Sequence, residues 1–375
     1  MRHLISRASN QGPTITVNNK KFINFSSNDY LGLASQPEII ESAIMAIEKF
    51  SFGSGSSRLL AGGCTLHERL EKDVSRFKDT ESALVFNSGY SANTGIIPAI
   101  TFKDDVIFSD EMNHASIIDG CRLSRAKTVL YRHKDVKHLS ELMRKEKGKR
   151  KIVITDSVFS MDGDIAPLKE IYGICLSHNR EPGKRDPAIL YIDDAHGTGV
   201  LGNGKGALSH FDIRPEPWII QMGTFSKAMG SFGAFAASGE NIIKWISNTA
   251  RSFIFSTALP PCVIAASIKA IQLIKKENKL IEKLWVNTKR LSEGIKNIGY
   301  DTMKSETPIV PIRAGTIRDA MKLSDALFRK GIFAPAIRPP SVREPRIRIT
   351  VTSAHTAEHI DFLIKTLEDK KRLTG

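Results

Sequence analysis

Ala188-Ile189-Leu190-Tyr191-Ile192-Asp193-Asp194-Ala195-His196-Gly197-Thr198-Gly199 passes from an unbroken apolar run straight into a turn of acids, small residues and one imidazole. An apolar run of this length bounded by polar residues reads as a strand buried on both faces. The same pattern recurs at Ala83–Phe86, Val106–Ser109, Lys151–Thr155 and Trp218–Met222. Helix-length amphipathic stretches lie between these runs. Leu66, Leu70, Val74 and Phe77 fall on one helical face, and Val136–Lys147 and Leu168–His178 follow the same periodicity. Strand and helix in alternation predict an α/β fold with a mainly parallel sheet covered on both sides. Such sheets bind ligands beyond the carboxyl ends of their strands, so the polar residues after each run are the candidates for chemistry.

The 375 residues are 41% hydrophobic and 25% charged, which excludes a disordered or collagen-like chain. Fifty-four Lys and Arg against 40 Asp and Glu leave a net charge of +14, which favours anionic partners without naming one. The basic run Arg144–Lys151 has no interleaved aromatics, so it reads as a solvated helix end, and no nucleic-acid partner is expected. Cys64, Cys121, Cys175 and Cys262 form no CxxC pair. Cys64/His67 and Cys175/His178 have CxxH spacing but no second ligand pair, so neither a zinc site nor a disulfide framework is expected. The first residues contain no apolar core of a secretory signal. Pro260-Pro261 interrupt one uncharged stretch, and Asn87, Gly89, Asn93, Gly95 and Pro98 mark another as unsuited to lipid. The expectation is a soluble cytoplasmic protein with reduced thiols, no metal and no membrane partner.

Short strands are expected at Ile15–Val17 and Phe22–Phe25, a long charged helix over Leu273–Arg290, and strands at Ile309–Ile312 and Arg346–Val351. Helices through Leu323–Arg329 and Ala357–Lys370 complete a smaller α+β unit. The expected division is an arm over 1–40 that joins the smaller domain, a large ligand-binding domain over 41–280, and the smaller domain over 281–375.

Four segments could carry chemistry. Thr224-Phe225-Ser226-Lys227 follows the run Trp218–Met222 and precedes Ala228-Met229-Gly230-Ser231-Phe232-Gly233. A lysine there can form an imine with an aldehyde cofactor, with hydroxyls for a phosphate and glycines for close backbone approach; taken alone it is more simply an ordinary surface lysine. Asp193 ends a buried strand and needs a partner. A protonated ring nitrogen is one such partner, with His196 near the ring's phenolic oxygen. A structural turn or a Mg²⁺ beside a nucleotide is the alternative, although the chain has no GxxxxGK[ST] loop. In Asn87-Ser88-Gly89-Tyr90 a strand turns into a helix whose first amides could cradle a phosphate. His114, after Val106–Ser109, could stack on an aromatic ring. His133, His138, His355 and His359 stand among polar or charged neighbours and are expected to be exposed.

Taken together, these segments resemble the α-oxoamine synthases, fold-type I pyridoxal-phosphate enzymes. The likeness runs almost end to end through Asn24-Phe25-Ser26-Ser27-Asn28-Asp29-Tyr30-Leu31-Gly32-Leu33, Gly53-Ser54-Gly55-Ser56-Ser57-Arg58, Val158-Phe159-Ser160-Met161-Asp162-Gly163-Asp164, Asp193–Gly199 and Ala336-Ile337-Arg338-Pro339-Pro340. The resemblance implies a large domain with a seven-stranded sheet, pyridoxal 5'-phosphate as cofactor, and a homodimer with shared sites. It implies decarboxylative joining of L-alanine to a pimeloyl thioester in biotin biosynthesis. A different member of the group, such as a glycine C-acetyltransferase, is the alternative. It makes Lys227 the Schiff-base lysine, Asp193 the partner of the ring nitrogen and His114 the stacking residue. His196 and Ser160 would sit near the phenolic oxygen, and Ser88, Gly89, Tyr90 and Thr224 would hold the phosphate. Ser256 and Thr257 would reach in from the second subunit. Arg338 and Asn28 would take the amino-acid carboxylate and Ser341 the acyl substrate. Arg2, or failing that Arg7, would supply a further substrate contact.

Overall fold

The computed structural model describes residues 4–181, 187–276 and 278–372, and it divides the chain into two compact units. The larger comprises Pro37–Phe159 and Ala166–Lys276, the smaller Met1–Gln36, Ser160–Ile165 and Glu277–Gly375.

The larger unit is built on a seven-stranded sheet. From edge to edge its strands are Ser82–Phe86, Ala234–Ser238, Ile219–Thr224, Ile189–Asp193, Lys151–Asp156, Val106–Asp110 and Lys127–Tyr131. All neighbours are parallel except Ala234–Ser238, which runs antiparallel to both of its partners. Alternate residues of a strand face opposite sides. Leu84, Ile107, Ile152, Ile154, Tyr191 and Met222 pack with the helices Gly89–Ile100, Ala115–Leu123 and Glu240–Thr249 in one core. The residues between them, among them Val85, Phe108, Val153, Leu190 and Phe235, are buried as well. Burial on both faces explains why the strands read as continuous apolar runs.

Two of these strands escaped the sequence reading. Ala234-Phe235-Ala236-Ala237-Ser238 has a single bulky residue, and Lys127–Tyr131 is an edge strand exposed over most of its length. The basic run also divides. Arg144, Lys145, Lys147 and Lys149 are exposed as expected, whereas Lys151 opens a central strand and is buried, its ammonium donating to the Met143 carbonyl.

The smaller unit has two three-stranded sheets. Thr14–Val17, Lys20–Asn24 and Ile332–Phe333 form one, so the N-terminal segment pairs with a strand more than three hundred residues later. Ile309–Arg313, Arg346–Thr350 and Ala336–Ile337 form the other, all antiparallel. Its core joins Phe25, Val310, Ile347 and Ile349 to Leu291, Leu327, Ile360 and Leu363 from the helices Asn278–Asn297, Ile317–Arg329 and Ala357–Arg372. The charged helix expected over Leu273–Arg290 falls on the helical residues Pro261–Lys276 and Asn278–Asn297, with position 277 outside the described residues. His355 corrects a second expectation: it is fully buried, stacked on Phe25 with ring centroids 4.4 Å apart. Burial pulls its pKa down to about 3.

Candidate active site

The polar residues singled out in the larger unit stand at the carboxyl ends of its strands. Asp156 and Asp193 end adjacent parallel strands in direct register. Phe86 and Thr224 both pair with Ala234, so the antiparallel strand sets the two ends level across it. Ser88 caps the helix Gly89–Ile100: its Oγ accepts from the Ser91 amide at 3.1 Å, and Ser91 Oγ accepts from the Ser88 amide at 2.9 Å. That leaves Gly89 and Tyr90 as the first amides of a helix N-terminus. A Cβ on Gly89 would come within 2.9 Å of Thr224 Cγ2, so only glycine lets the helix start lie this close to the strand end. Thr224 Oγ1 is buried without a hydrogen-bond partner. A buried hydroxyl beside a helix N-terminus suits a bound phosphate, which would accept from both. The Tyr90 side chain turns away, half exposed, and its hydroxyl donates to the Asp119 carboxylate.

Asp193 is buried. Its Oδ2 accepts from Asn93 Nδ2 at 2.8 Å and its Oδ1 from the Ala195 amide at 3.0 Å. Asp156 accepts from the His114 amide at 2.7 Å, and burial followed by the Asp193 charge pushes its pKa well up. The two acids are not equivalent: burial and its neighbour's charge both oppose ionisation of Asp156, whereas both Asp193 oxygens accept hydrogen bonds. His114 caps the helix Ala115–Leu123, its Nδ1 2.7 Å from Ser116 Oγ. Burial lowers its pKa first. The Asp193 carboxylate pushes it back up and the Lys227 ammonium lowers it again, so both charges bear on the imidazole. Lys227 lies in the turn after Thr224, where its carbonyl accepts from the Gly230 amide at 2.9 Å and Gly230 takes a φ of 61°. His196 is buried on the loop after Asp193. The fold therefore brings Ser88, Gly89, Thr224, Lys227, His114, Asp193 and His196 to the strand-end side of one unit. A helix-start cradle, a hydroxyl, a buried acid and an amine on one side of a sheet fit pyridoxal phosphate.

The second acid of the motif has a different part. Asp194 bonds to Lys78 Nζ at 2.9 Å, Thr198 Oγ1 at 2.8 Å, Ser157 Oγ at 2.8 Å and the Ala207 amide at 3.1 Å. Lys78, wholly buried, also donates to the Lys205 carbonyl at 2.5 Å. Gly199, at a φ of 81°, lies where a Cβ would meet Ala228 Cβ at 2.5 Å, so the motif's last glycine lets its loop pack on the segment after Lys227.

Ser256 and Thr257 lie on a surface segment: Thr257 bridges to Ser57, and its carbonyl accepts from Asn87 at 2.9 Å. In the smaller unit, Arg338 and Ser341 line a cleft of about 530 Å³ with Phe328, Phe333, Met321 and Ile337. Asn28 accepts from Arg348 at 3.1 Å. Arg348 also donates to the Ser160 carbonyl at 2.6 Å, and Arg346 pairs with Asp162, so these two buried arginines hold the Ser160–Asp162 segment. Sequence reasoning missed both, although Arg346-Ile347-Arg348-Ile349-Thr350 puts them on one face of a strand. Arg7 bonds to the nearby Ser9 carbonyl, and Arg2 lies outside the described residues. The described residues contain no group of three His, Cys, Asp or Glu side chains able to hold a metal, and no helix long and apolar enough to cross a membrane.

Residues 20–367 match the family described as aminotransferase class I and II. A curated relative from Thermodesulfovibrio yellowstonii is 52% identical over 95% of this chain and 90% of its own length. The 8-amino-7-oxononanoate synthase of Thermoanaerobacter pseudethanolicus is 46% identical over 98% of this chain and 92% of its own. Among solved structures, the serine palmitoyltransferase from S. paucimobilis with a bound PLP–myriocin aldimine superposes with a TM-score of 0.92 at 29% identity, over 99% of this chain and 92% of that one. The 8-amino-7-oxononanoate synthase from Francisella tularensis gives 0.79 at 27%, over 94% and 98%.

Proposed function

Because the chain belongs to the class I and II aminotransferase family, alongside the 8-amino-7-oxononanoate synthases, we propose that it joins L-alanine to a pimeloyl thioester. The products are 8-amino-7-oxononanoate, the free thiol carrier and CO2, in the course of biotin synthesis. The observation that carries the reading is the buried Asp193 at a strand end, both of whose oxygens accept from neutral donors, beside the partnerless Thr224 hydroxyl at the start of the helix Gly89–Ile100. Bound pyridoxal phosphate supplies an electron sink for negative charge at the α-carbon of the amino acid.

The chain's own residues do the rest. Gly89, Tyr90 and Thr224 hold the phosphate, and Lys227 holds the coenzyme until the amino acid takes its place. Asp193 keeps the ring nitrogen protonated. His114 covers the ring, and His196 and Ser160 bond near its phenolic oxygen. Freed Lys227 takes the α-proton. Arg338, with Asn28, clamps the substrate carboxylate; a guanidinium can do so with two parallel hydrogen bonds. That clamp keeps the C–H bond as the one broken first, so CO2 leaves only after the new C–C bond has formed. The apolar cleft beside Arg338 and Ser341 has the character needed for an acyl chain. The enzyme works as a homodimer in the cytoplasm, with Ser256 and Thr257 completing the partner's phosphate site.

The test is release of free thiol from pimeloyl-CoA, measured with and without L-alanine and pyridoxal phosphate. Release that needs both supports the reading, and turnover by the Lys227→Ala protein refutes the role of the lysine. The better superposition on serine palmitoyltransferase makes L-serine with palmitoyl-CoA the necessary competitor in the same assay. Preference for that pair would replace the pimeloyl assignment.

A further inference from the structure

Asn93 takes no part in that chemistry, yet it joins the two residues assigned to the cofactor ring, and the chain of bonds has a direction. Both Asp193 oxygens accept, Oδ1 from the Ala195 amide and Oδ2 from the Asn93 amide nitrogen 2.8 Å away, which fixes which end of the Asn93 side chain faces the acid. The same nitrogen donates to Ser116 Oγ at 2.8 Å, and Asn93 Oδ1 accepts from the Tyr191 hydroxyl at 2.6 Å. With Ser116 Oγ accepting from Asn93, its own hydrogen is left for His114 Nδ1 at 2.7 Å. The Ser116 amide points to the same ring nitrogen at 3.3 Å. Nδ1 is therefore an acceptor twice over, and the imidazole proton is placed on Nε2. Asn93, Ser116 and Tyr191 are all buried, which leaves little room for water to substitute for a missing link.

Resting on the reading that Asp193 and His114 flank pyridoxal phosphate, we propose that Asn93, acting through Ser116, is a positioning residue that fixes the Asp193 carboxylate and the His114 tautomer as one unit. Asp193 orients the amide, the amide orients the hydroxyl, and the hydroxyl orients the imidazole. Tyr191, donating to Asn93 Oδ1, holds the other end of the amide.

The experiment uses the full-length protein loaded with pyridoxal phosphate and labelled with 15N-histidine, with the His114 signals identified by their loss in His114→Gln. Imidazole nitrogen correlations report the tautomer, and quenching of protein fluorescence on adding pyridoxal phosphate reports affinity. Wild type is expected to carry the His114 proton on Nε2. Asn93→Ala should mix the tautomers and weaken cofactor binding about tenfold, the scale of a lost hydrogen bond to a charged group. Ser116→Ala should disturb the tautomer with a smaller loss of affinity, and Ser116→Thr, which keeps the hydroxyl, should restore it. If Asn93→Ala does not fold, Ser116→Ala and Tyr191→Phe decide: an unchanged tautomer in both overturns the proposal. Folded Asn93→Ala with wild-type affinity and tautomer overturns it as well. Wild-type protein that takes up no pyridoxal phosphate overturns the proposed function itself, and this inference with it.

Discussion

Asp193 and Asp194 are neighbours in sequence and both buried, one ending a strand and the other opening the loop after it, and their surroundings are opposite in kind. Asp194 meets a buried ammonium, two hydroxyls and a backbone amide, so its charge is answered within the protein. Asp193 is met by a carboxamide and a backbone amide, which stabilise the anion without cancelling it. A buried charge held by neutral donors keeps its field for whatever binds next; a buried charge paired with a cation holds two segments together. The difference separates a residue poised for a cationic ring from one that ties the loop of Asp194 to the helix Thr65–Phe77 and the segment near Lys205.

The largest effect expected from testing that contrast is on stability. Lys78→Ala leaves Asp194 buried without its ammonium and should cost about 3–5 kcal/mol, read from denaturant unfolding. A loss under about 1 kcal/mol would erase the distinction between the two acids. Asp193→Asn should do the reverse. Its melting temperature should fall much less than that of Lys78→Ala, because the mismatch it creates, an amide nitrogen facing the Asn93 amide nitrogen, leaves no buried charge unpaired, while thiol release falls on the order of 10²–10³-fold with the electrostatic support of the ring. Comparable losses of stability in both variants would break the comparison.

A smaller effect sharpens it from the other unit, where His355 is buried in neutral form. It titrates at about 3 in the folded chain against an ordinary value of 6.5, so the unfolded chain binds the extra proton between those values. The stability it contributes is complete above pH 6.5 and declines as the pH falls towards 3, by up to about 1.4 kcal/mol per pH unit. His355→Asn should flatten that slope in acid unfolding curves, and an unchanged slope would place the titration elsewhere.

Burial of whole strands leaves the clearest mark on the sequence. Asp193, Thr224 and His114 were found because each comes just after an apolar run. Asn93 and Lys78 were not found. One stands in the helix Gly89–Ile100 and the other follows Thr65–Phe77, where a polar residue ordinarily faces water, and only the packed structure reveals that these two face inward. His355 misled for the same reason: its neighbours in sequence are polar, but its ring is packed on Phe25 and bonded to the Asn24 carbonyl and to Thr352. Arg346 and Arg348 could have been read. Two arginines alternating with isoleucine in a strand demand buried partners, and they found them at Asp162, Asn28 and the Ser160 carbonyl. Small residues hid Ala234–Ser238, since its neighbours, and not its own bulk, bury it.

That inserted strand has a consequence for how the protein is made. Ser82–Phe86 has Ala234–Ser238 as its sheet neighbour, so it emerges from the ribosome long before its partner has been translated. Early in synthesis it is an apolar segment with an unsatisfied edge, which is when nascent chains are most exposed to aggregation. Phe86 and Thr224 both pair with Ala234, so a chain stalled before that strand lacks the pairing that sets Gly89 beside Thr224.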